Sequence, residues 1–396
     1  MKLGYGHTVA TCFLGFICQS VTINFAPLLF LTFSSEFDIP LSSITALITA
    51  NFGIQLLTDL ISPRFVDKMG YKTSMLLAHG LCASGMMLLA TLPNLLGGFP
   101  GLLLATAVYA IGGGLLEVLA SPIIESCPMK NKSGLMSLLH SFYCWGIVIT
   151  VLISTAFFAF FGTENWRIMS LIWAILPIAN AIYISFVPMP TPPPVEAGKT
   201  DLKTVFSGGL FWIFLIMMFA SGASEMAIQQ WSSTFAESAL KVDKSVGDLI
   251  GVCGYAVMMG SARVLYGKFS EKLPPKLSLL FCGVLTLCCF MTVALAENPI
   301  IGFIGCVFCG FAVGIFWPGT FNLATSKLPG CTTSMFAFLS LAGDVGCTTG
   351  PTVTGFVSDV FGGDLRMGIL VSSVFPVIML VTLSTLALKK KRKTIR

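Results

Sequence analysis

Apolar runs long enough to cross a bilayer recur along the whole of this chain, separated mostly by short polar turns. A helix needs about 20 predominantly apolar residues to traverse the hydrocarbon core. Twelve segments meet that requirement: 8–33, 42–63, 73–93, 99–125, 133–161, 166–188, 207–235, 245–266, 277–297, 299–325, 334–360 and 365–388, hereafter spans 1 to 12. Backbone amides inside lipid find no water, so each segment must satisfy its own hydrogen bonds as a helix. The expectation is an all-α membrane protein with twelve transmembrane helices. Charge content agrees, since only 10% of the 396 residues are charged against about 25% in soluble domains.

The first span could be mistaken for a secretory signal. Its apolar stretch is too long and no small-residue cleavage site follows, so it reads as a membrane helix. Cysteines do not redirect the argument. Cys306 and Cys309 have metal-like spacing but lie in the apolar run IGFIGCVFCGF, where a free cysteine behaves as a small hydrophobe. Structural zinc normally takes four ligands, so no metal or cofactor is expected.

An even number of spans puts both termini on one side. With the termini inside, 19 of the 23 Lys and Arg residues fall in inside segments, and only Arg167, Lys241, Lys244 and Arg366 stay outside. That is the bias of a cytoplasmic face. The segment VPMPTPPPVEAGKTDLKTVF is the one long polar, Pro-rich stretch between spans, and it reads as a cytoplasmic linker. The expected organisation is a six-helix bundle over 1–188, a linker over 189–206, a second bundle over 207–388 and a basic tail over 389–396. The tail KKKRKTIR reads as a topology anchor against the inner lipid surface.

The halves echo one another. After span 2 comes Pro63-Arg64-Phe65-Val66-Asp67-Lys68-Met69-Gly70-Tyr71-Lys72, and after span 8 comes Gly267-Lys268-Phe269-Ser270-Glu271-Lys272. Both are basic turns with an acid at the fifth position. Gly114-Leu115-Leu116-Glu117 of span 4 lies over Gly314-Ile315-Phe316-Trp317 of span 10 at a similar offset. Weak internal symmetry of this kind marks transporter halves that move about a shared site.

At this point the chain resembles the major facilitator superfamily, whose signature turn is matched after span 2, with Pro63 in place of a glycine. Three further stretches resemble its fucose/hexose–proton symporter branch: Gly114-x-x-Glu117 with Pro122, Leu139-His140-Ser141-Phe142, and Gly222-x-x-Glu225 followed by Trp231. Ser121 stands where the branch has Asn, and span 1 offers Asn24 where the fucose permease carries an acid. The resemblance implies two pseudo-symmetric six-helix bundles, with spans 1, 4, 7 and 10 along a central path and spans 2, 5, 8 and 11 where the halves meet.

Ionisable side chains at the bilayer centre are expensive, about 2.5–3.5 kcal/mol each on insertion scales, so their distribution is informative. Deep acids and histidine fall at Asp59, Glu117, His140, Glu225 and Asp344, while spans 6, 9 and 12 carry none in mid-course. Residues four apart share a helix face. Asn51, Gln55 and Asp59 form such a stripe, as do Glu225 with Gln229 and Ser20 with Asn24. Gln19 lies off that last face and is the weaker candidate. These amides and acids suit the hydroxyls of a neutral solute, and Tyr143, Trp145, Trp231, Phe25 and Trp317 either flank a sugar ring or pack helices.

Glu117 and His140 come to similar depth on spans 4 and 5. A carboxyl group in a low-dielectric site favours its neutral form, so Glu117 is read as the proton carrier. His140 either modulates it or bonds a backbone carbonyl. Glu225 is a second coupling group or a direct solute contact, and Asp344 is a further coupling candidate. Gating falls to the charged turns. Asp67 faces the start of span 11, with Arg64, Lys68 and Glu271 nearby in the two turns. Asp59 and Arg263 sit at matching positions 204 residues apart, and Glu125 is a partner for Arg64 or Lys72.

The function expected is a secondary transporter that moves a small neutral solute, a sugar first, by proton symport. A proton-coupled exporter of drugs or metabolites would use the same fold, and a transporter-like sensor is the alternative of another class. No Lys or Arg lies in mid-span except Arg263, which disfavours organic anions. No H-E-x-x-H or G-x-S-x-G constellation is present, which argues against an enzyme. The expected setting is a bacterial inner membrane, as a lipid-bathed monomer without a nucleic-acid partner.

Overall fold

The computed structural model describes residues 3–129, 132–191, 209–269, 273–327 and 333–394. Nearly all of them are helical, and none forms a strand. The fold is that of an all-α membrane protein with twelve spanning helices in two compact units, Met1–Glu196 and Ala197–Arg396. Among the described residues, eleven helices are long and apolar enough to cross a membrane. The twelfth expected span coincides with helix Thr333–Val360, whose Gly, Ser and Thr content sets it apart from those eleven.

Where the sequence draws continuous spans, several helices are broken. Span 1 runs as Tyr5–Asn24, a 3-10 turn Ala26–Leu29 and then Phe30–Phe37. Span 10 divides into Pro299–Gly314 and Phe316–Lys327, and span 12 into Leu365–Ser372 and Val374–Thr394. Each of these breaks sits within a turn of a proline: Pro27, Pro318 or Pro376. Proline has no amide hydrogen, so the carbonyl four residues earlier loses its partner and the ring crowds it. Span 7 breaks without one, between Gly209–Gln229 and Ser232–Ser238. There the Trp231 indole donates to the Pro351 carbonyl at 2.9 Å. Pro122, Pro177 and Pro351 lie inside helices that continue past them.

Spans 2 and 3 follow each other within Leu41–Leu96, and the chain turns between them at Gly70, with φ 77° and ψ 161°. A side chain is strained in that region and glycine is not. The glycine of the sequence turn is therefore required by the backbone. Span 8 opens with a π-helical stretch, Gly247–Cys253, before the α-helix Gly254–Phe269.

Close helix approach rests on glycine in both units, and Gly85 and Gly112 bring spans 3 and 4 together at the backbone of Tyr109 and Cys82. In the first unit, a Cβ on Gly146 of span 5 would lie 2.6 Å from Ser20 Cβ of span 1. In the second, Gly222 of span 7 and Gly346 and Gly350 of span 11 press onto facing backbone, opposite the carbonyls of Gly343, Phe219 and Ala223. Small residues permit such contacts between membrane helices. Large apolar side chains such as Phe160, Leu95, Phe186 and Ile300 are left bare on the surface, as suits a lipid-facing exterior.

Candidate functional site

In the first unit, spans 1, 2 and 4 converge at Gly112-Gly113-Gly114. A Cβ on Gly113 would meet Thr22 Oγ1 at 3.2 Å, Gln19 Cγ at 3.9 Å and Gln55 Cδ at 4.0 Å. The missing side chain lets two amides from different helices flank one backbone position. One helical turn further, Gln19 Nε2 donates to Glu117 Oε2 at 2.7 Å. Gln55 Nε2 donates to Asn51 Oδ1 at 3.2 Å, completing a row of polar side chains along span 2. Gln19, Asn51 and Gln55 are buried, while Glu117 and Asp59 keep some exposure.

The amide that meets Glu117 is thus Gln19, the candidate ranked lower on helical spacing. Asn24 is buried and donates to its own helix at the Ser20 carbonyl, 2.8 Å away. Ser20 is turned toward Gly146 of span 5. A step of one residue rotates a helix face by roughly 100°, enough to send Gln19 and Ser20 to different neighbours. His140 is exposed and stands edge-on to the Phe16 ring, with centroids 5.6 Å apart. Tyr143 is buried, whereas Trp145 is 41% exposed.

Of the gating residues, Lys68 and Glu125 are exposed. Lys72, considered as a partner for Glu125, donates to the Ser185 and Val187 carbonyls at 2.8 and 3.4 Å. The last carbonyls of a helix lack intrahelical partners, and span 6 ends there. The side chains of Arg64 and Asp67, and all of Glu271, lie outside the described residues.

In the second unit, Glu225 is buried and meets Arg263. The Arg263 Nη2 atom donates to Oε1 at 2.9 Å and to Oε2 at 3.1 Å. The Tyr255 hydroxyl donates to the Glu225 carbonyl at 2.9 Å, so span 8 holds both the side chain and the backbone of this residue. Arg263 is thus engaged by an acid of its own unit. Gln229 is buried at the last residue before the span 7 break. Trp317, two residues past the span 10 break, lays its ring against Gly343, next to the partly exposed Asp344.

A pattern links these positions. Asn24, Gln229 and Trp317 each stand beside a helix break. Broken helices in transporters leave backbone groups free to meet solute or ions. Sequence reading missed one further cluster. Lys244 Nζ lies 3.0 Å from Asp248 Oδ2 and 3.5 Å from Glu237 Oε1, and the Ser233 hydroxyl bonds Asp248 Oδ1. Burial raises the pKa of Glu237 above the ordinary value, and the nearby Lys244 opposes that shift. The available signal was Asp248, four residues after Lys244 at the edge of an apolar run.

Comparison with known proteins then bears on the whole chain. The sequence profile described as Major Facilitator Superfamily matches residues 11–351. No curated protein matches the sequence. Among solved structures, a bacterial homologue of the human lysosomal transporter Spinster, inward-facing and occupied, is 15% identical, with 97% of each chain covered and a TM-score of 0.79. A D-xylose–proton symporter is 14% identical, covering 95% of this chain and 96% of its own, with a TM-score of 0.78. The E. coli fucose:proton symporter is 16% identical, covering 96% and 98%, with a TM-score of 0.65. At these identities the likeness speaks to the fold.

Proposed function

Since this chain belongs to the major facilitator superfamily and is a transporter rather than an enzyme, we propose that it carries a small neutral polar solute, a sugar first, by proton symport with alternating access. The observation that carries this reading is the Gln19–Glu117 contact at 2.7 Å, set among Thr22, Gln55 and Asn51. An acid held by a neutral amide can gain or lose a proton without stranding a counter-charge. The surrounding amides and hydroxyls match the hydrogen-bonding needs of a polyhydroxylated solute.

Charge balance supports a neutral cargo. The guanidinium of Arg263 already faces the Glu225 carboxylate, so it is not an idle cation waiting for an anionic substrate. The xylose and fucose symporters name sugars as the cargo of two proteins with this fold. Gln229, Asn24 and Trp317, beside their helix breaks, are the further solute contacts in this reading. His140 and Asp344 assist proton movement. Asp59, Arg64, Asp67, Lys68, Glu125, Arg263 and Glu271 belong to the gates. The chain sits in a bacterial inner membrane with both termini cytoplasmic.

Uptake into proteoliposomes over a sugar panel, with pH and sodium gradients imposed separately, tests the whole proposal. Glu117→Gln should abolish accumulation against a gradient and leave counterflow exchange measurable, because exchange needs no net proton movement. Intact uphill transport in that variant would reject Glu117 as the carrier.

A further inference from the structure

Gln19 makes half of the hydrogen bonds that its place demands. A primary amide offers two N–H donors on one side and a carbonyl acceptor on the other. An ionised carboxylate only accepts, so the amide nitrogen of Gln19 must be the end facing Glu117, as the 2.7 Å contact has it. The carbonyl is then turned the other way. Its Oε1 atom is buried and has no hydrogen-bond partner among the described residues, on a residue that is 3% exposed. Buried acceptors without a partner are costly and few in native proteins, so this one points to a ligand.

Two neighbours narrow what that ligand presents. Gln19 Cγ and Gln55 Cδ both approach the bare backbone of Gly113, at 3.9 and 4.0 Å from where a Cβ would stand. Gln55 gives one of its two N–H groups to Asn51, and Thr22 spends its hydroxyl hydrogen on the Gln19 backbone carbonyl at 2.7 Å. Neither side chain is bonded to Gln19 Oε1. What the Gln19 carbonyl lacks is a donor, and a neutral polyhydroxylated solute supplies O–H groups.

We propose that Gln19 Oε1 accepts a hydrogen bond from one hydroxyl of the transported solute, with Glu117 as the positioning residue that holds the amide in that orientation. The inference rests on the reading of this chain as a carrier of neutral hydroxylated solutes, and it adds a rule of selection. At one position of the solute an O–H donor is required. Hydrogen, an ether or fluorine there leaves the carbonyl unmet. A site built to bond a hydroxyl rejects the analogue without it far more strongly than an apolar pocket rejects a missing methylene.

The test uses the full-length protein, wild type and Gln19→Met, in proteoliposomes. Counterflow is first measured for D-xylose, L-fucose, D-glucose and D-galactose. The monodeoxy and monofluoro derivatives of whichever sugar is carried are then compared as competitors. In the wild type, one ring position should cost about tenfold in affinity when its hydroxyl becomes hydrogen or fluorine. In Gln19→Met the parent sugar should bind about tenfold more weakly, and that position should discriminate by less than about twofold.

Unchanged discrimination in Gln19→Met, or a fluoro sugar that competes as well as its parent at every position, overturns the Gln19 assignment while leaving sugar transport standing. A wild type that carries none of the panel overturns the sugar reading itself, and this assignment with it. Should Gln19→Met fail to insert, Gln19→Asn keeps the amide but draws it back by one methylene, and the same loss of discrimination is expected from it.

Discussion

The two units hold their central acids in opposite ways. Glu117 is met by the neutral amide of Gln19, and Glu225 by the guanidinium of Arg263. A carboxyl beside an amide can change charge, since the neutral amide leaves no counter-charge uncompensated. A carboxyl beside a guanidinium is held in its charged form by the pairing, so protonating it breaks an ion pair. The difference teaches that the partner of a buried acid sets what it can do. On the reading proposed above, the first arrangement lets Glu117 take up a proton, whereas the second ties span 7 to span 8 through an ion pair.

The largest expected effect follows from that pair. Arg263→Gln strands the buried Glu225 carboxylate, which costs about 3–5 kcal/mol. Thermal denaturation in detergent should show Arg263→Gln strongly destabilised, Glu225→Gln less so because Arg263 is partly exposed, and the double variant close to wild type. A double variant no better than the singles would remove the contrast between the units, because the pair would then do more than cancel charge.

A smaller effect separates two helix contacts by their packing, that of spans 7 and 11 and that of spans 1, 2 and 4. A Cβ on Gly346 would fall on the Phe219 carbonyl oxygen, whereas one on Gly113 would stand 3.2 Å from the Thr22 hydroxyl. Overpacking of a close contact costs about 1–3 kcal/mol, so Gly346→Ala should lower the melting temperature clearly and Gly113→Ala much less. Equal losses would show that spans 1, 2 and 4 meet as tightly as spans 7 and 11. The smallest effect concerns the break in span 7. Trp231→Phe removes the bond to the Pro351 carbonyl, worth about 1 kcal/mol, and should increase hydrogen exchange around Gln230 without unfolding the unit. Unchanged exchange there would mean that the break is held by packing alone.

Much of the first-order architecture could be read in the residues. Apolar runs located the spans, and the basic turns and the Gly114-Glu117 and Gly314-Trp317 echo announced two related halves. Pro27, Pro318 and Pro376 could have flagged three of the helix breaks, because a missing amide hydrogen is a local property. The break at Gln230–Trp231 has no such mark. There the Trp231 indole bonds a carbonyl 120 residues away.

The partners of the acids were equally hidden. Spacing put Ser20 and Asn24 on one face, as the fold has them, but gave no sign of where Gln19 or Arg263 would turn. In the fold Gln19 reaches Glu117, 98 residues distant, and Arg263 reaches Glu225, 38 residues distant. Sequence alone determined that this chain is a membrane-embedded bundle with a few costly polar groups, because the free energy of transfer into lipid depends on composition residue by residue. Only the tertiary structure decided which polar group answers which. That choice turns on the rotation of each helix about its axis, and packing against neighbours sets the rotation.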